Sequence, residues 1–230
     1  MDVDLDQAQQ EARQAGLELI KGERGLVLTD GVMELSCDFT ALLPRLRQDR
    51  LARELVVRAA RIKAVTQPVV VDATAGLGED SLLFAAAGYK VLLFESDAVI
   101  AALLRDGLQR AAHVAQLAPI VARMQLFESN SVDVLPSLAY KVDVVYLDPM
   151  FPGRTKSAAV KKKFQLLHHL EQPCTDERAL LHAALAANPR KVVIKRPLKA
   201  PTLAASRPSY SLLGKAVRFD VIVPPHTLSQ

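Results

Sequence analysis

Apolar residues along this chain fall into short continuous runs, separated by longer stretches with helical spacing. Val69-Val-Val71, Lys90-Val-Leu-Leu-Phe94, Met124-Gln-Leu-Phe127, Val142-Asp-Val-Val-Tyr-Leu147 and Lys191-Val-Val-Ile-Lys195 read as short buried strands. Residues 79–88, with apolar Leu82, Leu83 and Ala86 and a stop at Gly88, read as a helix, as do 97–112. A helical turn is expected near 131–138, and two helices near 157–170 and 175–187. Ala216-Val-Arg-Phe-Asp-Val-Ile-Val223 alternates like a closing strand. Strands spaced by helices predict an α/β, Rossmann-like architecture with a mostly parallel, doubly wound sheet, whose ligands bind at the C-terminal strand ends. Tyr146, inside the fourth strand, reads as core.

Ahead of this pattern the chain changes character. Leu17–Ile20, Gly25–Leu28 and Val32–Leu35 read as short strands, with turns at Lys21-Gly22 and Asp30-Gly31. Residues 41–63 follow as a basic helical segment, ended by Pro68. A small α+β extension over residues 1–66 is therefore expected before a Rossmann-like domain over 67–230. The Pro-, Ser- and Ala-rich stretch 198–215 reads as a mobile loop.

Composition narrows the classes. Of 230 residues, 50% are hydrophobic and 23% charged, which suits one soluble domain with a full core. Trp is absent, so Leu, Val, Ala and Ile must build that core. No apolar run approaches the ~18 residues of a membrane span, and the acidic N-terminus does not resemble a secretory signal. Cys37 and Cys174 lie far apart, with no second Cys or His at ligand spacing. Free thiols, no metal site and a cytoplasmic location are the expectation.

The net charge of +4 is unevenly spread. Residues 41–63 hold seven bases, Arg45, Arg47 and Arg50 among them, against Asp49 and Glu54. Arg154, Lys156, Lys161, Lys162 and Lys163 form a second cluster with no acid. One such cluster is usually a solvated face; two, one of them beside a candidate site, point to a phosphate-binding surface. Lys195 and Arg196 are counted with it.

The first core strand runs into Asp72-Ala-Thr-Ala-Gly-Leu-Gly78, where Gly76 and Gly78 permit a tight turn and close approach of a ligand. Glu79 and Asp80 follow in place of a third glycine. Acids there disfavour a pyrophosphate, hence NAD, and suit a sulfonium with an ammonium group. Glu95 and Ser96 end the second strand, where ribose hydroxyls are held in such sheets. Asn130 and Ser131, after the third strand, are placed to hold an adenine, although either position also suits a helix cap.

The most specific segment is Asp148-Pro149-Met150-Phe151-Pro152. A carboxylate at a strand end, followed by prolines and an aromatic, is a poor continuation of a sheet. It is a good device for fixing one acceptor and one flat ring in a cleft. An exocyclic amino nitrogen is a weak nucleophile, because its lone pair is delocalised into the base. Asp148 and a backbone carbonyl can accept its two N–H bonds, while Phe151 stacks on the unstacked base. His168-His169, on the helix after the basic run, reads as a partly exposed face and not as a catalytic pair.

These motifs, together with Lys156-Ser157-Ala158, Val160-Lys161-Lys162, Val193-Ile-Lys-Arg-Pro197 and Arg218-Phe219-Asp220, resemble the RsmJ family over roughly residues 16–223. Its members methylate guanine N2 near the 3′ end of small-subunit ribosomal RNA. The resemblance implies a class I S-adenosylmethionine-dependent methyltransferase fold. It also implies a site for S-adenosylmethionine lined by Asp72, Gly76, Gly78, Glu79, Asp80, Glu95, Ser96, Asn130, Ser131 and Asp148, and 16S ribosomal RNA or the small ribosomal subunit as partner. Two places depart from the family: Pro44–Arg50 lacks its glycines, and Glu79 stands where a base is common. Other readings of the residues are an adenine-N6 methyltransferase, a non-catalytic RNA-binding or ribosome-assembly protein, and, disfavoured by the missing glycine, an NAD-dependent oxidoreductase.

Overall fold

The computed structural model describes residues 3–63, 65–150, 166 and 176–225. A helix, α1 (Val3–Gln14), comes first, buried along Ala8 and Ala12. The antiparallel strands β1 (Glu18–Gly22), β2 (Gly25–Thr29) and β3 (Glu34–Leu35) follow. The expected basic helix over 41–63 is instead three pieces: a 3-10 helix (Phe39–Arg45), α2 (Gln48–Leu51) and α3 (Leu55–Ala60). Pro44 has no N–H for a continuous ladder, and Arg47 and Glu54 take extended ψ angles of 135° and 122°.

The rest is a seven-stranded sheet. Its strands are β4 (Val69–Asp72), β5 (Lys90–Glu95), β6 (Met124–Glu128), β7 (Val144–Leu147), β8 (Lys191–Pro197), β9 (Tyr210–Leu213) and β10 (Val217–Ile222), in the spatial order β6-β5-β4-β7-β8-β10-β9. The pairings from β6 to β8 are parallel, and β10 runs antiparallel to both neighbours. The stretch expected as a mobile loop therefore contains edge strand β9, held by the β10 ladder from Arg218↔Leu213 to Val221↔Tyr210.

Alternation sets the two cores. Val70, Val91, Leu93, Val144, Tyr146 and Val193 point to one face, against α4 (Glu79–Ala86) and α5 (Ala98–Ala111). Val71, Leu92, Phe94, Val145, Leu147, Val192 and Ile194 point to the other, against Leu180, Leu181, Ala183 and Ala184 of α8 (Glu177–Ala186). A sheet covered on both faces explains why its strands read as continuous apolar runs. Between α5 and α8 the chain also forms short helices α6 (Ala118–Val121) and α7 (Ser131–Val134). The N-terminal elements share the first core through Leu19, Leu28 and Leu35. The Leu26 amide donates to Asp106 of α5 at 3.0 Å, and Gly107 lets Cys37 lie against that helix where a Cβ would meet its Sγ at 2.4 Å.

Candidate active site

Strand order reverses between β4 and β7, so the loops after these strands diverge and leave a crevice at their C-terminal ends. A cleft of about 500 Å³ opens there. Its floor is Asp72, Thr74 and Gly76 of the first loop with Asp80; Tyr146, Asp148 and Lys195 stand across from them. Arg45, Arg53, Glu54, Leu55 and Val56 of the N-terminal segment, with Val217 and Phe219 of β10, form another wall.

The two loop glycines do different things. Gly76 has φ +54° and open space where a Cβ would stand, so its backbone is bare toward the cleft. Gly78, expected to approach a ligand, is buried at the α4 N-cap with φ +72°. A Cβ there would meet Leu104 Cδ1 at 2.9 Å, so this glycine serves packing of the loop on α5.

Glu95 ends β5 with both carboxylate oxygens engaged: the Gly76 amide donates to Oε2 at 2.8 Å and the Asp97 amide to Oε1 at 2.9 Å. Burial pushes its carboxyl up, opposed by these amides. Each oxygen keeps acceptor capacity, so Glu95 both ties down the glycine turn and can still accept hydroxyls. Ser96 beside it is exposed. Asn130 caps α7 by accepting from the Val132 amide at 3.0 Å, and the buried Ser131 hydroxyl donates to the Ala73 carbonyl at 2.7 Å. Both thus brace the β6 end against the first loop. None of these four residues lines the cleft described above; they lie on its β5–β6 side.

Asp72 sits under the loop, accepting from the Ser81 hydroxyl at 2.6 Å and the Thr74 amide at 3.1 Å. Burial raises its carboxyl from 3.8 to about 7, assisted by the charges of Asp80 and Asp148. The Thr74 hydroxyl accepts from the Asp148 amide at 2.7 Å, joining the β4 and β7 loops. Glu79 is exposed at the mouth.

The charged centre is a chain of contacts that no single motif announced. The Tyr146 hydroxyl donates to Asp80 Oδ2 at 2.6 Å; Lys195 Nζ donates to the same oxygen at 2.7 Å and pairs with Asp148 Oδ2 at 2.8 Å. Burial alone would raise Asp80, but the Lys195 ammonium and the Tyr146 hydroxyl outweigh it and hold its carboxyl below the usual value. Burial opposes the charge on Lys195, yet Asp148 and Asp80 hold its pKa above the usual value. Tyr146, expected as plain core, is buried but carries a polar end into the site.

Two of the expected RNA contacts change their meaning. Lys195 faces the cleft carboxylates. Arg196, its neighbour on the opposite face of β8, is 1% exposed, donating to the Pro201 carbonyl at 2.8 Å and to Glu177 at 3.2 Å. That burial removes it from any phosphate-facing surface. Arg45 lines the cleft in a bidentate pair with Glu54 at 2.8 and 2.9 Å, while Arg47 and Arg50 are exposed. Pro149 is buried. Phe151, Pro152, Arg154, Lys156, Lys161, Lys162, Lys163, the His168-His169 pair and Cys174 lie outside the described residues. Thr74, Ser81 and Tyr146 were missed. Thr74 and Ser81 are hinted at by lying within a loop or turn of the acid they bond; Tyr146, whose partner Asp80 is 66 residues away, gives no such sign.

The cleft gathers Asp80 and Asp148 around Lys195, with Asp72 under a bare glycine turn and Glu79 at the mouth. That surplus of acid suits a cationic sulfonium and ammonium and repels a pyrophosphate. Sheet order, glycine turn and an acid after β5 together define a class I S-adenosylmethionine-dependent methyltransferase. The family described as "Putative SAM-dependent methyltransferase" matches residues 5–224. "Ribosomal RNA small subunit methyltransferase J" of Thioalkalivibrio sulfidiphilus is 45% identical over 215 residues, covering 90% of this chain and 84% of that protein. The protein of the same name from Pseudomonas paraeruginosa is 46% identical over 73% of this chain and 65% of its own length. A crystal structure of a SAM-dependent methyltransferase from Neisseria gonorrhoeae superposes with a TM-score of 0.75 at 31% identity, covering 95% of this chain and 92% of that one. The chain belongs to the ribosomal RNA small subunit methyltransferase J family.

Among the described residues no group of three or more His, Cys, Asp or Glu side chains is placed to hold a metal ion, and no helix is long and apolar enough to cross a membrane.

Proposed function

We propose that this enzyme methylates the exocyclic N2 of a guanosine in 16S ribosomal RNA, in the cytoplasm, either on the RNA itself or on the small subunit. The observation that carries the reading is the Asp148 carboxylate at the end of β7, inside an acidic cleft beside the glycine turn, in a chain 45% identical to a ribosomal RNA small subunit methyltransferase J.

S-adenosylmethionine, when bound, would supply an electrophilic methyl: the amino lone pair would form the new N–C bond, the sulfur would leave as a neutral thioether, and the surplus amino proton would pass to solvent. The residues of the chain do the rest. The bare Gly76 backbone admits the cofactor, and Glu95 accepts ribose hydroxyls. The acids Asp80 and Glu79 favour its cationic end, with Asp72 bracing the loop beneath through Ser81. Asp148 accepts an amino N–H of the base and directs the lone pair toward the methyl; alignment of this kind supplies much of the rate. Pro149 fixes the turn that aims Asp148, and Phe151 stacks on the base. Exposed Arg47 and Arg50, with Arg154, Lys156, Lys161, Lys162 and Lys163, take RNA phosphates, and the 1–66 extension serves as the docking element.

Tritiated methyl transfer to bulk RNA, followed by nucleoside analysis, tests the reading. Labelled N2-methylguanosine is expected. Labelled N6-methyladenosine would replace guanine by adenine, and absence of any transfer by the folded protein would overturn the reading.

A further inference from the structure

Next to Arg196, Lys195 looks like half of a phosphate-binding pair. The fold puts it elsewhere. It stands at the end of β8, paired in register with Phe219 of β10, and its ammonium lies between two carboxylates, with one fifth of the side chain exposed. An ammonium already flanked by Asp80 at 2.7 Å and Asp148 at 2.8 Å is a poor partner for a phosphate, because both acids would repel it. We propose that Lys195 is a positioning residue for methyl transfer: it holds Asp148 ionised and fixed through Oδ2, presenting the carboxylate to the amino group of the target base. This inference rests on the role given to Asp148 above.

Asp80 and Asp148 both reach one nitrogen, so they are close neighbours in a cleft of reduced dielectric. Without the ammonium, two carboxylates so placed share a proton, and the apparent pKa of the pair rises. A proton on Asp148 turns an acceptor into a donor, and the lone pair of the amino group is then no longer directed. The other charged groups facing the cluster cannot replace Lys195. Glu79 from α4 adds negative charge, and Asp72 from the β4 end, its carboxyl raised by burial to about 7, supplies none that could balance the pair. Arg45, from the N-terminal segment, lowers the Asp80 pKa from a distance but is engaged by both oxygens of Glu54. Tyr146 donates to Asp80 and carries no charge to balance the pair.

The test is single-turnover methylation of RNA across pH, with S-adenosylmethionine affinity measured by calorimetry on the same proteins. Lys195→Met and Lys195→Gln both remove the charge; the amide keeps a donor and guards against a misfolded Met variant. At about pH 6.5 the rate of either should fall about thirtyfold, recovering as pH rises and the shared proton is lost. Cofactor affinity should not weaken. Lys195→Arg, which keeps the charge, should restore the wild-type pH profile. A neutral variant that keeps the wild-type profile, or loses rate equally at every pH, overturns the proposal. Asp148→Ala separates the two failures. Normal turnover in that variant ends the Asp148 reading, whereas its inactivity beside wild-type behaviour of Lys195→Met and Lys195→Gln ends this inference alone.

Discussion

The ends of β5 and β7 each present one carboxylate to the ligand side of the sheet, and they are held by opposite means. Glu95 is held by the backbone: the amides of Gly76 and Asp97 donate to it, and its charge is met by fixed dipoles of a turn that cannot swing away. Asp148 is held by a side-chain charge: Lys195, shared with Asp80, with Tyr146 behind it. A carboxylate pinned by amides is a stable acceptor for neutral hydroxyls, suited to binding. A carboxylate balanced by a single shared side-chain ammonium has a protonation state that its neighbours decide, suited to chemistry. In the proposed reading, the same chemical group serves affinity at one edge of the site and rate at the other.

The sharpest break of that comparison is Asp148→Ala. With Glu95 and the glycine turn intact, the methylation rate should fall at least about a hundredfold, roughly 2.7 kcal/mol at the barrier, with RNA affinity little changed because phosphates dominate it. Asp148→Asn should fall between, since an amide oxygen still accepts one bond. Near-normal turnover in a folded Asp148→Ala protein would make Asp148 merely structural.

Glu95→Ala should invert the pattern. It strands the Gly76 and Asp97 amides and removes the hydroxyl acceptor, so calorimetry should show S-adenosylmethionine binding weaker by about 1–3 kcal/mol. If rate falls while affinity holds, the division of labour is reversed.

Asp72 sharpens the picture through pH. Its carboxyl is raised in the fold, so the native state binds the extra proton between its ordinary value of 3.8 and about 7. The stability tied to that proton is present in full below the lower value and is lost as pH rises through about 7. Chemical denaturation between about pH 5 and 7 should therefore show stability falling by up to about 1.4 kcal/mol per pH unit from this group. Asp72→Asn should flatten that slope; an unchanged slope would place the proton elsewhere.

The smallest effect expected concerns the second basic cluster. Replacing Lys161, Lys162 and Lys163 together by Ala should flatten the salt dependence of RNA binding by up to about three phosphates' worth of slope, leaving cofactor affinity unchanged. An unaltered slope would return the cluster to a solvated face.

Much of the fold was legible because burial on both faces writes β4, β5, β7 and β8 as unbroken apolar runs, and the connecting helices carry their own spacing. The acid after β5, the glycine turn and Asp148 were legible because they interrupt those runs with residues a sheet would not choose. Helix α1 was not, since its buried stripe is only Ala8 and Ala12 among polar residues. Edge strand β9 was hidden by a composition that reads as loop and becomes strand only by pairing with β10. Lys195 and Arg196 show the boundary most clearly. The strand was predicted, and its period of two already sends neighbours to opposite faces. Which face held a cleft with two carboxylates and which held Glu177 depended on β7, α4 and α8 being folded against it. Local order follows from spacing along the chain, which the sequence carries by itself. The partners of a charge follow from distances between residues far apart in the chain, as with Lys195 and Asp80, and only tertiary packing decides those.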